Sequence, residues 1–329
     1  MNTMCSNTST FHSIYLLLLS IAIISIAVFL ASVTEYENKH EKRYYAYATA
    51  TATLPDFNFA AAGDWGCNSN TNKTIMSMQS KNPELVLGLG DYSYKKTAVC
   101  WLQIVDIIDE KMKIIIGNHD SEPLSLLNQY MSHFNLTKQY YSFDYQNVHF
   151  IAMSTELSWD KSSAQYKFVK DDLLKASIDP NTEWIVVYFH KQMYTIPSDN
   201  FPYPTLRSTY HPLFEQYGVD LVLQAHNHNY QRTYPIKFNN TGPRHPIETS
   251  INTSTYTDPD GQIFATVGTG GVYLHPFTDK KETEKDYYVT QYLGYGILNI
   301  DITNNGRTLT GKFYANNNGR IIDQFTIIK

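Results

Sequence analysis

The sequence predicts an α/β fold in which helices pack around a β-sheet and the C-terminal third contributes additional strands. Short apolar runs recur along the chain, each ends in a polar cluster, and helix-compatible stretches separate them. The last third instead alternates apolar and polar residues, with Asn-Asn-Gly turns at 304–306 and 317–319. These observations predict β-α-β units followed by an antiparallel section.

The individual elements follow from the same patterns. Runs with the length and character of buried strands lie at 57–62, 85–89, 112–116, 184–189 and 219–223. Helix-compatible stretches occupy 70–80, 97–110, 122–133, 163–176 and 205–217. Half-buried antiparallel strands are predicted at 262–267, 294–302 and 308–314.

The N-terminal part of the chain differs from the rest. Residues 1–13 form a polar tail, and the uncharged segment 14–33 would span about 30 Å as a helix, the thickness of a bilayer core. We expect a transmembrane anchor here rather than a cleaved signal segment, because no Lys or Arg precedes it. Residues 34–53 are predicted to be a tether, and 54–329 a single folded domain.

Composition and modification motifs narrow the possible partners and location. The net charge is −5, and no basic stripe interleaved with aromatics is visible, so nucleic-acid recognition is not expected. The basic residues after 14–33 favour a cytoplasmic domain by the positive-inside rule. Asn-x-Ser/Thr triplets favour instead an extracellular or cell-surface protein, anchored or secreted; they begin at Asn72, Asn135, Asn239 and Asn252. Outside the cell, Cys67 and Cys100 would form one disulfide, and two free thiols are the alternative.

Seven polar side chains follow the five predicted buried strands. Ligands in α/β sheets bind at the carboxyl ends of strands, so these residues are expected to meet: Asp64, Asp91, Tyr94, Asn118, His190, His226 and His228. Oxygen and imidazole donors together suit Fe, Zn or Mn. Seven ligands exceed what one tetrahedral ion needs but suit two ions that share a carboxylate and clamp a phosphoryl group.

These motifs resemble those of the purple acid phosphatases, a branch of the calcineurin-like metallophosphoesterases. The matching segments are G-D-W-G, G-D-Y-S-Y, G-N-H-D, V-Y-F-H and A-H-N-H, which begin at residues 63, 90, 117, 187 and 225. The resemblance covers roughly 55–329. It implies a metallophosphoesterase-like β-sandwich flanked by helices, with a dinuclear metal site at the C-terminal strand ends and 54–329 as the catalytic domain.

The resemblance also implies a role for each ligand. Asp64, Tyr94 and His228 would hold a ferric ion, and Asp91 would bridge. The second ion, Fe(II), Zn or Mn, would be held by the remaining three ligands, Asn118, His190 and His226.

A catalytic role follows for His119, which would orient phosphate or protonate the leaving group; a hydrogen bond to Asp120 is the alternative. The interval 191–225 lacks the family's usual His pair and contains only His211. Candidates for the substrate pocket are therefore Tyr194, Tyr230 and Arg232, each of which could equally serve packing.

The expected function is hydrolysis of small phosphate monoesters by a metal-bound hydroxide at the dinuclear centre, as in an acid phosphatase. The alternatives are a Mn- or Zn-dependent phosphodiesterase or nucleotidase on the same fold and, from a different class, a non-catalytic cell-surface binding protein.

Overall fold

The computed structural model describes residues 54–196, 198–278 and 286–329. The predictions for the tail at 1–13, the membrane segment at 14–33 and the tether at 34–53 lie outside these residues. Within the described ranges, no helix combines the length and the apolar character that crossing a bilayer requires.

Two seven-stranded sheets form the framework of the described domain. The first has the strand order β11-β16-β15-β14-β1-β2-β3. Its strands in chain order are β1 (Phe57–Ala62), β2 (Leu85–Gly88), β3 (Met112–Ile114), β11 (Thr255–Thr257), β14 (Gly296–Thr303), β15 (Thr308–Ala315) and β16 (Ile321–Ile328). β1, β2 and β3 are parallel, whereas β14 to β16 extend the sheet antiparallel from β1. The predicted C-terminal antiparallel section is thereby confirmed.

The second sheet has the order β13-β8-β12-β7-β6-β5-β4. Its strands are β4 (Tyr141–Tyr145), β5 (Val148–Ala152), β6 (Trp184–Tyr188), β7 (Leu221–Gln224), β8 (Tyr230–Thr233), β12 (Ile263–Val267) and β13 (Tyr288–Tyr292). β5, β6, β7 and β12 run parallel to one another. A two-stranded ribbon joins β9 (Ile236–Lys237) to β10 (Ile247–Glu248).

Five α-helices lie in the described residues: α1 (Ser69–Lys81), α2 (Val99–Val105), α3 (Leu124–His133), α4 (Ala164–Ile178) and α5 (Pro204–Tyr217). Local capping fixes several of their ends. The Asn68 side chain accepts hydrogen bonds from the first turn of α1, and Ser163 does the same for α4. α5 begins with a proline and ends at Tyr217, because the positive φ of the following Gly218 stops the helix.

The alternation of side chains along β1 shows where the core lies. Phe57, Phe59 and Ala61 point into a cluster that contains side chains of both sheets and of α4 and α5. Ala60 and Ala62 point to the opposite face, against the cluster formed with α1, α2 and α3. Both faces of the parallel strands are therefore buried, and the layered α/β prediction is confirmed.

Several elements depart from the sequence prediction, which does not contain the strands β8, β11, β13 and β16. The segment 262–267, predicted as a half-buried antiparallel strand, does pair antiparallel with β8. It is fully buried over Ile263–Val267, because its other edge pairs parallel with β7 inside the second sheet. The hairpin of β4 and β5 was not predicted at all. The predicted helix at 97–110 ends at Val105, and a 3-10 turn at Asp109–Lys111 follows it.

Candidate metal centre

The seven predicted side chains come together where the carboxyl ends of five parallel strands meet. Asp64 follows β1, Asp91 and Tyr94 follow β2, and Asn118 follows β3. The imidazoles come from the other sheet, His190 after β6 and the remaining two, His226 and His228, after β7. The two sheets thus contribute oxygen donors from one side and nitrogen donors from the other.

One half of this site is built around the Tyr94 phenol. Its oxygen lies 3.2 Å from Asp64 Oδ1, 3.1 Å from His228 Nε2 and 3.3 Å from Asp91 Oδ2. His228 Nε2 also lies 3.3 Å from Asp64 Oδ1. A phenol, a carboxylate and an imidazole therefore point at one small volume.

The other half is built around His190. Its Nε2 lies 3.1 Å from Asn118 Oδ1 and 3.3 Å from Asp91 Oδ2. Asp91, His190 and His226 each offer a donor atom, and these three atoms lie within 4.8 Å of one another. Asp91 Oδ2 is common to both halves, which is the position that a shared carboxylate requires.

Four of these residues have backbone conformations that L-amino acids rarely adopt. The φ angles are +59° at Asp64, +55° at Asp91, +53° at Tyr94 and +71° at His226. Left-handed conformations at non-glycine residues cost free energy and persist where the surrounding structure imposes them. The sharp turns after the strands aim these side chains into the site.

Two glycines allow the backbone to approach the carboxylates closely. A Cβ at Gly117 would fall on Asp91 Oδ1, and a Cβ at Gly268 would lie 2.6 Å from Asp64 Oδ2. Any larger residue at either position would displace one of the two carboxylates of the site. The Gly268 contact gives a physical role to the glycine-rich segment at 268–271.

Hydrogen bonds orient each imidazole. His190 Nδ1 lies 2.8 Å from the Leu89 carbonyl oxygen, and His228 Nδ1 lies 2.6 Å from the Tyr273 carbonyl oxygen. A carbonyl oxygen only accepts, so both Nδ1 atoms donate and both Nε2 atoms keep a lone pair for the site. His226 differs, because its Nε2 lies 3.4 Å from the Tyr203 hydroxyl.

His275 also supports this side of the site, although the sequence patterns did not predict it. Its ring stacks on His228 with the ring centroids 3.5 Å apart, and its Nδ1 accepts a hydrogen bond from the His228 backbone N–H. The segment around 275 carries no motif at the sequence level, so only the folded contact identifies this residue.

Electrostatics in the site favour a bound cation. Burial opposes ionisation of Asp64, but the neighbouring His228 outweighs it and the pKa of this carboxyl is lowered. The pKa of Asp91 is also lowered, because His190 outweighs the effect of burial. Two adjacent buried carboxylates need compensating positive charge, which either imidazolium rings or a metal ion held by neutral imidazoles can supply.

His119 lies at the rim of the site. Its side chain is exposed, its ring centroid is 4.5 Å from that of Tyr94, and its backbone N–H donates to Asp91 Oδ1 at 2.8 Å. Asp120 accepts instead from the backbone N–H groups of Asp91, Tyr92 and Gly117. Asp120 therefore shapes the loops, while the His119 imidazole faces outward at the entrance.

The three candidates for the substrate pocket, Tyr194, Tyr230 and Arg232, are all fully buried, which favours the packing role that the sequence left open for each of them. Arg232 donates to both carboxylate oxygens of Asp323 on β16, and the Tyr230 hydroxyl donates to the same carboxylate. Tyr194 bonds through its hydroxyl to His211, which is buried as well. These hydrogen bonds join elements of the core.

A disulfide joins Cys67 and Cys100. It links the turn that carries Asp64 to α2, close to the loop that carries Asp91 and Tyr94. Disulfides persist in secreted and cell-surface proteins and are rare in reducing compartments.

The donor set fits metal ions. It combines ionised carboxylates, a phenol, an amide and three imidazoles, without a thiol, which is the chemistry of iron, zinc or manganese sites. The second carboxylate oxygen of each aspartate is held by a backbone N–H, from His119 for Asp91 and from His226 for Asp64. Such outer hydrogen bonds are typical of ligating carboxylates.

Comparisons with known proteins agree with this geometry. Purple acid phosphatase 23 of Arabidopsis thaliana is 27% identical over 254 residues, which cover 64% of this chain and 52% of that protein. A probable inactive purple acid phosphatase 1 of the same plant is 28% identical over 203 residues, covering 59% of this chain and 31% of that protein. This chain thus spans about half or less of the length of these relatives.

A solved structure and a family model are also similar to this chain. The purple acid phosphatase PPD1 from yellow lupin superposes with a TM-score of 0.70 at 22% identity, covering 83% of this chain and 54% of that chain. The model of the calcineurin-like phosphoesterases matches residues 57–230, more than half of the chain and all seven donors of the site. The chain therefore belongs to the calcineurin-like phosphoesterase family, and the resemblance to its purple acid phosphatase branch is confirmed.

Proposed function

We propose that this protein hydrolyses phosphate monoesters as an acid phosphatase with a dinuclear metal centre. One observation carries the proposal: seven donors gather in two sets that share the Asp91 carboxylate. Membership in the phosphoesterase family supports it. We expect small phosphorylated molecules as substrates, because the chain belongs to a phosphoesterase family and is similar to acid phosphatases.

The ligands divide by geometry. Asp64, Tyr94 and His228 would hold one ion, for which a phenol donor favours Fe(III). Asn118, His190 and His226 would hold the other, as Fe(II), Zn or Mn. When bound, two such ions acidify water and neutralise charge on the phosphoryl oxygens.

His119 supplies the protein's own acid–base chemistry in this proposal. Its exposed imidazole at the rim can donate a proton to a leaving alkoxide or hold a phosphate oxygen. The backbone N–H of the same residue holds Asp91. His119 therefore contacts the shared carboxylate through its backbone and would contact the substrate through its side chain.

The disulfide and the N-terminal sequence both bear on the location of the protein. We infer an extracellular or cell-surface protein, with segment 14–33 acting as an anchor or as a signal segment. The disulfide between Cys67 and Cys100 supports the extracellular part of this inference.

An assay with two substrates tests the proposed activity. p-Nitrophenyl phosphate should be turned over, and Asp91→Asn should lower its kcat/KM by about 100-fold or more. Asp56→Asn is the control, because that exposed carboxylate precedes β1 at the end opposite to Asp64. Preference for bis(p-nitrophenyl) phosphate would favour the phosphodiesterase, and no turnover of either by the metal-loaded protein would favour the non-catalytic binding protein.

A further inference from the structure

The three imidazoles of the site are oriented in two different ways. His190 and His228 donate from Nδ1 to backbone carbonyl oxygens, which leaves Nε2 for a metal ion. The only hydrogen-bond partner in the described residues for the His226 ring is the hydroxyl of Tyr203, next to Nε2. The orientation of the His226 ring therefore depends on the Tyr203 side chain, which a single substitution can change.

We propose that Tyr203 is a positioning residue that accepts a hydrogen bond from His226 Nε2–H and so turns the Nδ1 lone pair of His226 toward the metal ion. The inference rests on the proposed metal centre and goes beyond it, because it assigns the nitrogen that binds and the residue that selects it. A histidine that binds metal donates its other ring N–H to an oxygen acceptor, and the neutral phenol oxygen provides one.

Tyr203 is itself held firmly in place. Its backbone N–H donates to the Gln192 carbonyl oxygen at 3.0 Å, and its own carbonyl accepts from Arg207 in the first turn of α5. The ring is half-buried and lies edge-on to Trp159, with the centroids 6.3 Å apart. A phenol fixed at both the backbone and the ring can define the orientation of a neighbouring imidazole.

The charged neighbours of Tyr203 are paired with each other. The Lys191 ammonium lies 5.8 Å from the centre of the Tyr203 ring and 2.8 Å from the Glu156 carboxylate. The Lys191 charge is therefore offset, and the oxygen lone pairs of the Tyr203 phenol stay available to His226.

Asn200, which lies with Tyr203 in the loop between β6 and α5, holds the backbone of His226. The Asn200 side chain donates to the His226 carbonyl oxygen at 2.8 Å, and the Asn200 backbone N–H donates to the Asn227 side chain at 3.0 Å. These bonds support the left-handed conformation of His226, whose φ is +71°. The loop between β6 and α5 thus controls both the backbone and the ring of this one ligand.

Metal titration of the full-length protein tests the inference. Zn²⁺ is added to metal-free wild type, Tyr203→Phe and Tyr145→Phe in competition with a chromophoric chelator. Tyr203→Phe keeps the ring contacts and removes the acceptor, so one of the two dissociation constants should rise about 10- to 100-fold. Tyr145→Phe is the matched control, because this half-buried tyrosine packs on Phe57 away from the site, and both constants should match wild type.

A second measurement does not depend on any variant. Long-range ¹H–¹⁵N spectra of the Zn²⁺-loaded wild type should show His226 bound through Nδ1 and protonated at Nε2, whereas His190 and His228 show the reverse. A His226 ring bound through Nε2 would overturn the inference, as would two unchanged constants in Tyr203→Phe. Absence of Zn²⁺ binding by the wild type would refute the metal centre itself, so the two failures are distinguishable.

Discussion

Replacement of Asp323 by asparagine tests the structural role assigned to Arg232 and Tyr230. The Asp323 carboxylate accepts from Arg232 Nε at 2.6 Å, Arg232 Nη2 at 2.9 Å, the Tyr230 hydroxyl at 2.7 Å and Thr290 at 2.9 Å. Arg232 and Tyr230 belong to the second sheet and Asp323 to the first, so this cluster ties the two sheets together.

The expected loss follows from what the substitution leaves behind. Asparagine neutralises the carboxylate, while the Arg232 guanidinium stays fully buried without its counter-charge. Breaking a buried pair in this way costs about 3–5 kcal/mol, and a domain of this size loses roughly 2 °C of Tm per kcal/mol. We expect the lower end, about 3 kcal/mol and roughly 6 °C, since asparagine keeps one acceptor oxygen.

Urea denaturation near neutral pH measures this loss. Burial opposes ionisation of Asp323, but Arg232 outweighs it and lowers the pKa of this carboxyl. The pair's contribution to the free energy of unfolding is therefore fully present above the ordinary pKa of the carboxyl. It disappears as the pH falls through the lowered pKa. Asp301→Asn is the control, because its partly exposed pair with Lys312 should contribute less than about 1 kcal/mol. Unchanged stability in Asp323→Asn together with a large rise in KM would refute the structural role and restore Arg232 to the pocket.

Three further outcomes are expected. Cys100→Ser should destabilise the protein by about 4 kcal/mol in denaturant titrations, because the disulfide with Cys67 closes a loop of 33 residues; a loss that persists when both proteins are reduced would argue against this cause. Burial lowers the pKa of His149, but Asp172 outweighs it and raises this pKa, so Asp172→Asn should lower the free energy of unfolding by about 1.5 kcal/mol near pH 5.5. The loss should shrink as the pH rises through the raised pKa, and equal losses near pH 5.5 and 9 would contradict that linkage. His119→Asn should lower kcat about 100-fold or more for an alkyl phosphate but less for p-nitrophenyl phosphate, whose leaving group needs no proton; equal losses for both would exclude a proton-donor role.

The donors of the site were predictable because each follows a buried strand directly. An apolar run identifies the strand, and the parallel arrangement then brings its polar end, such as Asp64 or His190, to a common edge. The sequence also encodes the turns that aim these side chains, because glycines stand at positions that only a small residue can occupy, such as Gly117.

Contacts between distant segments were not predictable in the same way. Arg232 lies two residues from Tyr230 and near the motif at 225–228, but its partner Asp323 comes from another sheet 91 residues later. Tyr203 lies in a segment without periodicity, and only the fold brings it to His226. By contrast, the sequence of β4, YSFDY, does alternate aromatic and polar residues, so its hairpin with β5 had a local signal that the strand prediction did not use.

Metal content combined with a visible absorption spectrum tests the central claim most directly. The purified protein should contain two metal ions per chain, at least one of them iron, and should show a visible band that disappears in Tyr94→Phe. Tyr145→Phe, which changes a tyrosine away from the site, should keep the band. A protein that binds no iron, zinc or manganese after careful reconstitution would contradict the dinuclear centre and the phosphatase built on it.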